Sequence, residues 1–260
     1  MHPELFHFHL FGLNQTIYTY AFCIVVGTMV AALFTKWRAK KELERKVLPN
    51  HFFYLIFIVG FIGGKLFFYL ENPAYYWVHP DRLGHNFSGG FVFYGSFISI
   101  IPFLLWYLNK NKWPVWPMLD ILAFTTLIVH TIGRMGCFFG GCCYGKPTDG
   151  FTGIVFPKTN GVAVHPTQLY EVSALLFIIF ILYQIKKRQQ FDGQIFMLYL
   201  MLYAVARNII ELFRGDTRGF VIDGILSHSQ FIGILIFMIA AFYYQKLKSK
   251  QLKFISYENN

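Results

Sequence analysis

The chain has 260 residues, of which 55% are hydrophobic and only 14% charged, with 31 phenylalanines and a formal net charge of +10. A soluble domain carries about a quarter charged residues, so this composition argues against a water-soluble fold and for a membrane protein with apolar runs of about 20 residues. Four cysteines, one of them (Cys23) inside such a run, are too few and too oddly placed for a disulfide scaffold.

Seven runs qualify as transmembrane helices, at roughly 16–34, 51–70, 91–107, 116–132, 168–185, 194–213 and 224–244. The first, TIYTYAFCIVVGTMVAALF, holds no charge. The residues before it lack the basic segment of a cleavable signal peptide, so it reads as a retained span. The fourth is interrupted by Asp120 and opened by Pro114 and Pro117. The longest connection, about 133–167, reads as a loop with one short hairpin. The expected fold class is all-α: a single integral membrane domain over 1–260, with seven transmembrane helices and no repeat or soluble module.

Lysine and arginine set the expected orientation. Fifteen of them lie after spans one, three, five and seven, against six in the alternate segments. That bias puts the N-terminus outside (periplasmic) and the C-terminus in the cytoplasm. The basic total reflects topology and anionic lipid heads, not nucleic acid. It also places the stretch GRMGCFFGGCCYG, residues 133–145, at the outer surface, with Arg134 at the depth of lipid phosphates.

Five ionisable groups fall inside the spans: Lys65, Asp120, Glu171, Arg207 and Glu211. Each costs roughly 2.5–3.5 kcal/mol at a helix centre, so such groups usually face a bundle interior and mark function. Lys65 can extend its stem to the head groups, and Asp120 is close enough to a span end to be interfacial. Tyr203, Arg207 and Glu211 are spaced by four residues and share one helix face. They read either as a neutralised ion pair with filling or as a binding set. In HPTQLYE, residues 165–171, His165 and Pro166 precede the fifth span and Glu171 lies just inside it.

Jointly these segments resemble the prolipoprotein diacylglyceryl transferase family. The family pattern G-R-x-G-N-F-x-N-x-E-x-x-G is kept at Gly133, Arg134, Gly136, Phe138 and Gly145. HPTQLYE matches H-P-S/T-Q-L-Y-E, and the sixth span matches Y-x3-R-x3-E-x2-R at Tyr203, Arg207, Glu211 and Arg214. Tyr20 fits the first-span tyrosine, and GGFVFYG at 89–95 fits G-G-x-x-F/W-H-G. The chain departs from the family at Tyr94 (usually histidine), Cys137 (asparagine), Gly140 (asparagine) and Cys142 (glutamate).

The resemblance implies a multi-pass enzyme of the bacterial inner membrane, with its active site open to the outer leaflet. Such enzymes move the diacylglyceryl group of phosphatidylglycerol onto the lipobox cysteine thiol of a prolipoprotein signal peptide. A thioether forms and glycerol 1-phosphate leaves. No cofactor or metal is implied. Catalytic candidates are Arg134 and Arg207 as a phosphate clamp, Glu211 orienting Arg207, and Glu171 and Tyr94. Substrate-binding candidates are Arg134, Tyr20, Gly136, Cys137, Gly145, His165 and Tyr203. The base stays open among Tyr94, Glu171 and His165. Arginine suits phosphate because its planar fork stays charged and donates two parallel hydrogen bonds. The glycines fit either a backbone that approaches a head group or tight helix packing.

Two other readings differ in class. One is a membrane protein that binds anionic lipid without catalysis. The other is a thiol-redox or metal centre at Cys137, Cys142 and Cys143, with His130 or His165 completing a zinc set. The C-x4-C-C spacing is not a usual zinc pattern, which counts against the second.

Overall fold

The computed structural model describes residues 4–10, 13–43, 48–71, 73–80, 82, 93–215, 220–222 and 226–258. Strands β1 (Glu4–Leu10) and β2 (Leu13–Tyr18) form an antiparallel hairpin ahead of α1 (Thr19–Leu43). Then come α2 (Asn50–Leu70), α3 (Pro73–Val78), α4 (Phe93–Lys110) and α5 (Val115–Phe139). A two-residue ribbon of β3 (Ile154–Val155) and β4 (Ala163–Val164) precedes α6 (Thr167–Lys186) and α7 (Gln194–Glu211). A last ribbon, β5 (Phe220–Ile222) with β6 (Leu226–Ser227), leads into α8 (His228–Glu258).

Among the described residues, six helices are long and apolar enough to cross a membrane: α1, α2, α5, α6, α7 and α8. They turn large apolar side chains outward; Phe57, Ile62, Phe177, Phe180 and Phe242 are all more than half exposed. Soluble monomers rarely show such a surface over large areas. The chain is therefore a helical membrane protein. Helix α4, over the expected third span, is not among the six.

Two boundaries differ from expectation. The first helix begins at Thr19, because the residues before it are drawn into the hairpin with β1. The fourth continues to Phe139, so the first half of GRMGCFFGGCCYG is helix rather than loop. Packing explains the extension across two glycines, each worth roughly 1 kcal/mol against a helix. A Cβ on Gly136 would lie 2.8 Å from Cβ of Cys23, so α1 and α5 approach more closely there than any larger residue permits. The short hairpin expected between 133 and 167 is the β3–β4 ribbon.

The chain divides into two compact units, one of Ala39–Met118 and one of Met1–Arg38 with Leu119–Asn260. In the former, α2 packs on α4 through small residues, and Ser96 Oγ donates to the Gly60 carbonyl at 2.7 Å. The latter holds the candidate site. Its core joins Ala123, Phe124 and Leu127 of α5, Leu175, Ile178 and Leu182 of α6, and Ile195 and Tyr199 of α7. Steps of three and four residues keep one helix face. The same faces, carried one or two turns further, present His130 and Arg134, Glu171, and Tyr203 and Arg207. The apolar core thus fixes the register of the polar cluster beyond it.

Asp120 has a separate task at the other end of α5. Its carboxylate accepts from Gln189 Nε2 at 2.6 Å and from the backbone N–H groups of Gly193 and Phe196, each at 2.8 Å. Gly193, the residue before α7, has no side chain to cap the helix, and Asp120 caps it from outside. It is structural.

Candidate active site

Glu171 stands in the first turns of α6 and is 1% exposed. His130 Nε2 lies 3.1 Å from its Oε1, Arg134 Nε 2.9 Å from its Oε2, and the Tyr203 hydroxyl donates to Oε1 at 3.0 Å. The Arg134 contact is a charge pair rather than an aligned hydrogen bond, since Oε2 accepts no hydrogen bond among the described residues. Three helices therefore deliver four polar side chains to one point. Burying one carboxylate alone would be prohibitive; here an adjacent guanidinium offsets it.

Arg207 and Glu211 form a second pair on α7, with Nη2 2.6 Å from Oε2, and Ser227 Oγ donates to Glu211 Oε1 at 3.3 Å. Arg207 Nη1 is buried with no hydrogen-bond partner among the described residues. An unmade bond to a buried charged donor is expensive, so this nitrogen is placed to donate to an anion that enters the site. The guanidinium groups of Arg134 and Arg207 both lie within electrostatic range of Glu171 and Tyr203. The two arginines face a common centre.

The other expected site residues divide. Tyr20 of α1 abuts Gly136 and Gly140, and it interacts electrostatically with Arg134 and the three clustered cysteines. His165 is not at Glu171: its Nδ1 lies 3.0 Å from the Tyr170 hydroxyl, which lies 2.7 Å from Thr152 Oγ1, and its ring packs on Phe213. Gly136 is accounted for by the α1 contact. Gly145 is pressed against the Phe213 carbonyl, and its N–H donates to the His165 carbonyl at 2.8 Å. The N–H groups of Gly140 and Gly141 are likewise taken by Gly136 and Phe138. At these positions the glycines serve close packing, and their N–H groups do not line a head-group cradle. Tyr94 falls in α4, in the other unit, and its side chain lies outside the described residues.

His130 is the residue not singled out for this site from sequence. The signal was present: it lies four residues before Arg134 within an apolar run, the spacing that marks Tyr203, Arg207 and Glu211.

Cys137, Cys142 and Cys143 are free thiols whose sulfurs lie within 4.8 Å of one another. Local backbone explains this. Helix α5 ends in a Schellman motif, with Gly141 at φ +62, its N–H on the Phe138 carbonyl and the Cys142 N–H on the Cys137 carbonyl. That motif normally seats one apolar side chain on another; here it seats a thiol on a thiol. Cys143 then takes φ +64, a left-handed conformation unusual for a residue with a side chain. Its carbonyl accepts from Thr167 Oγ1 at 2.8 Å, and that of Cys142 from Gln168 Nε2 at 2.6 Å. Hydrogen bonds from the Cys137 and Cys142 sulfurs, and then the nearby Arg134 and Arg214, hold the Cys143 thiol well below the ordinary thiol range.

The profile of the prolipoprotein diacylglyceryl transferase family matches residues 7–245. A phosphatidylglycerol–prolipoprotein diacylglyceryl transferase of Clostridium tetani is 35% identical over 250 residues, covering 93% of this chain and 96% of that protein. A second, of Clostridium perfringens, is 32% identical with 93% and 95% covered, and one of Campylobacter lari 30% identical with 90% of each covered. The chain belongs to the prolipoprotein diacylglyceryl transferase family.

Proposed function

We infer that this protein transfers the diacylglyceryl group of phosphatidylglycerol to the lipobox cysteine of a prolipoprotein, releasing glycerol 1-phosphate. The observation that carries the reading is a buried carboxylate gripped by His130, Arg134 and Tyr203 beside an arginine whose buried Nη1 has no acceptor among the described residues. Family membership supplies the substrates. The reading includes residence in the bacterial inner membrane, a seventh crossing made by α4, an exterior N-terminus, and a site open to the outer leaflet.

Each residue then has a task. Glu171 holds Arg134 by its Nε, leaving the terminal nitrogens to grip the phosphodiester. Glu211 steadies Arg207, whose Nη1 takes a second phosphate oxygen. Negative charge grows on the phosphate as the C–O bond breaks, and donors fixed in a water-poor site are worth most there. The attacking species is a thiolate. Imidazole is the side chain suited to accept its proton near neutral pH, and His130 reaches the cluster with Glu171 positioned to balance the imidazolium. Glu171 itself, already committed to three partners, is a poor base.

The test is glycerol phosphate release from phosphatidylglycerol vesicles containing a lipobox peptide. Wild type releases it, and Arg134→Ala falls by about 10²–10³-fold, the cost of one preorganised donor. Equal release from both defeats the clamp. Lipid binding without release from wild type indicates a non-catalytic lipid-binding protein.

A further inference from the structure

We propose that Cys137, Cys142 and Cys143 hold one thiophilic divalent metal ion of the zinc class, and that its fourth position takes the acceptor cysteine as thiolate. The second half rests on the transferase reading above; the first does not.

The case begins with geometry. Zinc–sulfur bonds of about 2.3 Å put the sulfurs of a tetrahedral site about 3.8 Å apart. The three here lie within 4.8 Å, so each needs to move by about an ångström at most to close on a metal. The sequence spacing looked wrong for zinc because usual patterns span a turn or a knuckle. A Schellman cap followed by a left-handed residue reaches the same end over six positions. The left-handed Cys143 is itself informative. A residue with a Cβ held there costs of order 1–3 kcal/mol and persists only where its surroundings over-determine it. Thr167 and Gln168 do so by bonding the Cys143 and Cys142 carbonyls. Were the Cys143 thiol mere filling, glycine would serve there without that strain.

Charge agrees. Three thiolates on a divalent ion carry a net charge of −1, and both Arg134 and Arg214 lie within electrostatic range of Cys143. Access agrees as well. Cys137 is buried, whereas Cys142 and Cys143 line an open cleft of about 660 Å³ shared with Lys158 and Gly215. A metal on the three sulfurs keeps one face toward that cleft, the mark of a working rather than a sealed zinc site. Gln168, 1% exposed beside the cluster, has no partner for Oε1 among the described residues, an acceptor placed for a group that enters there.

Chemically, the acceptor thiol binds the fourth position and releases its proton, since a coordinating thiol is deprotonated outright. The bound sulfur forms its bond to the glyceryl carbon. The C–O bond to phosphate breaks, its electron pair leaves with the phosphate, and the glycerol phosphate takes up a proton. No oxidant or reductant is involved. The metal thus makes the thiolate, and the proton it releases is the one that His130 accepts in the reading above.

The experiment is cobalt(II) titration of the reduced, chelator-stripped, detergent-purified full chain, read by sulfur-to-cobalt charge-transfer absorption. We expect one equivalent bound with tetrahedral bands. Affinity should fall at least a hundredfold in Cys142→Ser and Cys143→Ser and stay unchanged in Cys23→Ser. Because a serine variant can misfold, wild type is also alkylated with and without cobalt; the metal should protect three of its four thiols. No binding, or binding and protection indifferent to these cysteines, overturns the site. Adding a lipobox peptide should raise the charge-transfer intensity by about a third, one thiolate on three, while its Cys→Ser version adds nothing. No rise overturns the acceptor role. A rise without glycerol phosphate release leaves the metal site standing and overturns the transferase reading instead.

Discussion

A buried carboxylate meets α5 near each end of the helix, and the two have opposite surroundings. Asp120 is 0% exposed, and both its oxygens accept short bonds from a glutamine amide and two backbone N–H groups. Nothing near it is left wanting. Glu171 is 1% exposed, and its partners are an imidazole, a guanidinium and a phenol. Close by, Arg207 keeps a buried donor with no acceptor among the described residues. Burial of a charge therefore does not by itself separate structure from function in this protein. What separates them is whether the partners can bind an anion or move a proton, and whether a donor is left over.

That contrast can be broken or sharpened by substitution. Of the substitutions that follow, the largest effect is expected at Arg207→Ala, which removes the donor with no acceptor among the described residues and should lower turnover by about 10²-fold. Glu211→Gln leaves Arg207 in place but loosens it. The loss of one charged hydrogen bond, roughly 1.5–3 kcal/mol, should appear mainly as a rise of about tenfold in KM for phosphatidylglycerol, with kcat less affected. Asp120→Asn turns a donor toward a backbone N–H and should cost about 1–3 kcal/mol of stability. Thermal unfolding should then fall by about 2–4 °C per kcal/mol, with turnover per folded molecule unchanged. The smallest response is expected at Cys143 in metal-free protein. Its thiol lies below the ordinary range, so its thiolate persists as pH falls. Alkylation mapped to that residue should change less than about threefold between pH 8 and 6, while an ordinary thiol loses roughly a hundredfold.

Much of this arrangement was readable in the chain. Runs of apolar residues gave the helices, because only a helix satisfies its backbone in lipid. Four-residue spacing within such a run exposed the Tyr203–Arg207–Glu211 face. Other features depended on distance in space. That Glu171 rather than Arg134 is the hub required three helices to converge, and no local pattern encodes convergence. His130 followed the same spacing rule but was weighed only as a partner of the cysteines. The helical half of 133–145 was misjudged because glycine propensity argues for a loop, whereas the Gly136–Cys23 approach decides for a helix. The three cysteines were weighed as one centre and counted against on their spacing for a related reason: a helix cap folds Cys142 back over Cys137, which a linear count of residues does not register.

The most direct measurement compares Glu171→Gln with Asp120→Asn, side by side, for glycerol phosphate release in phosphatidylglycerol membranes at equal amounts of folded protein. The account predicts that Glu171→Gln retains at most about one hundredth of wild-type release, while Asp120→Asn stays within about twofold of wild type. Similar release from the two variants would contradict it.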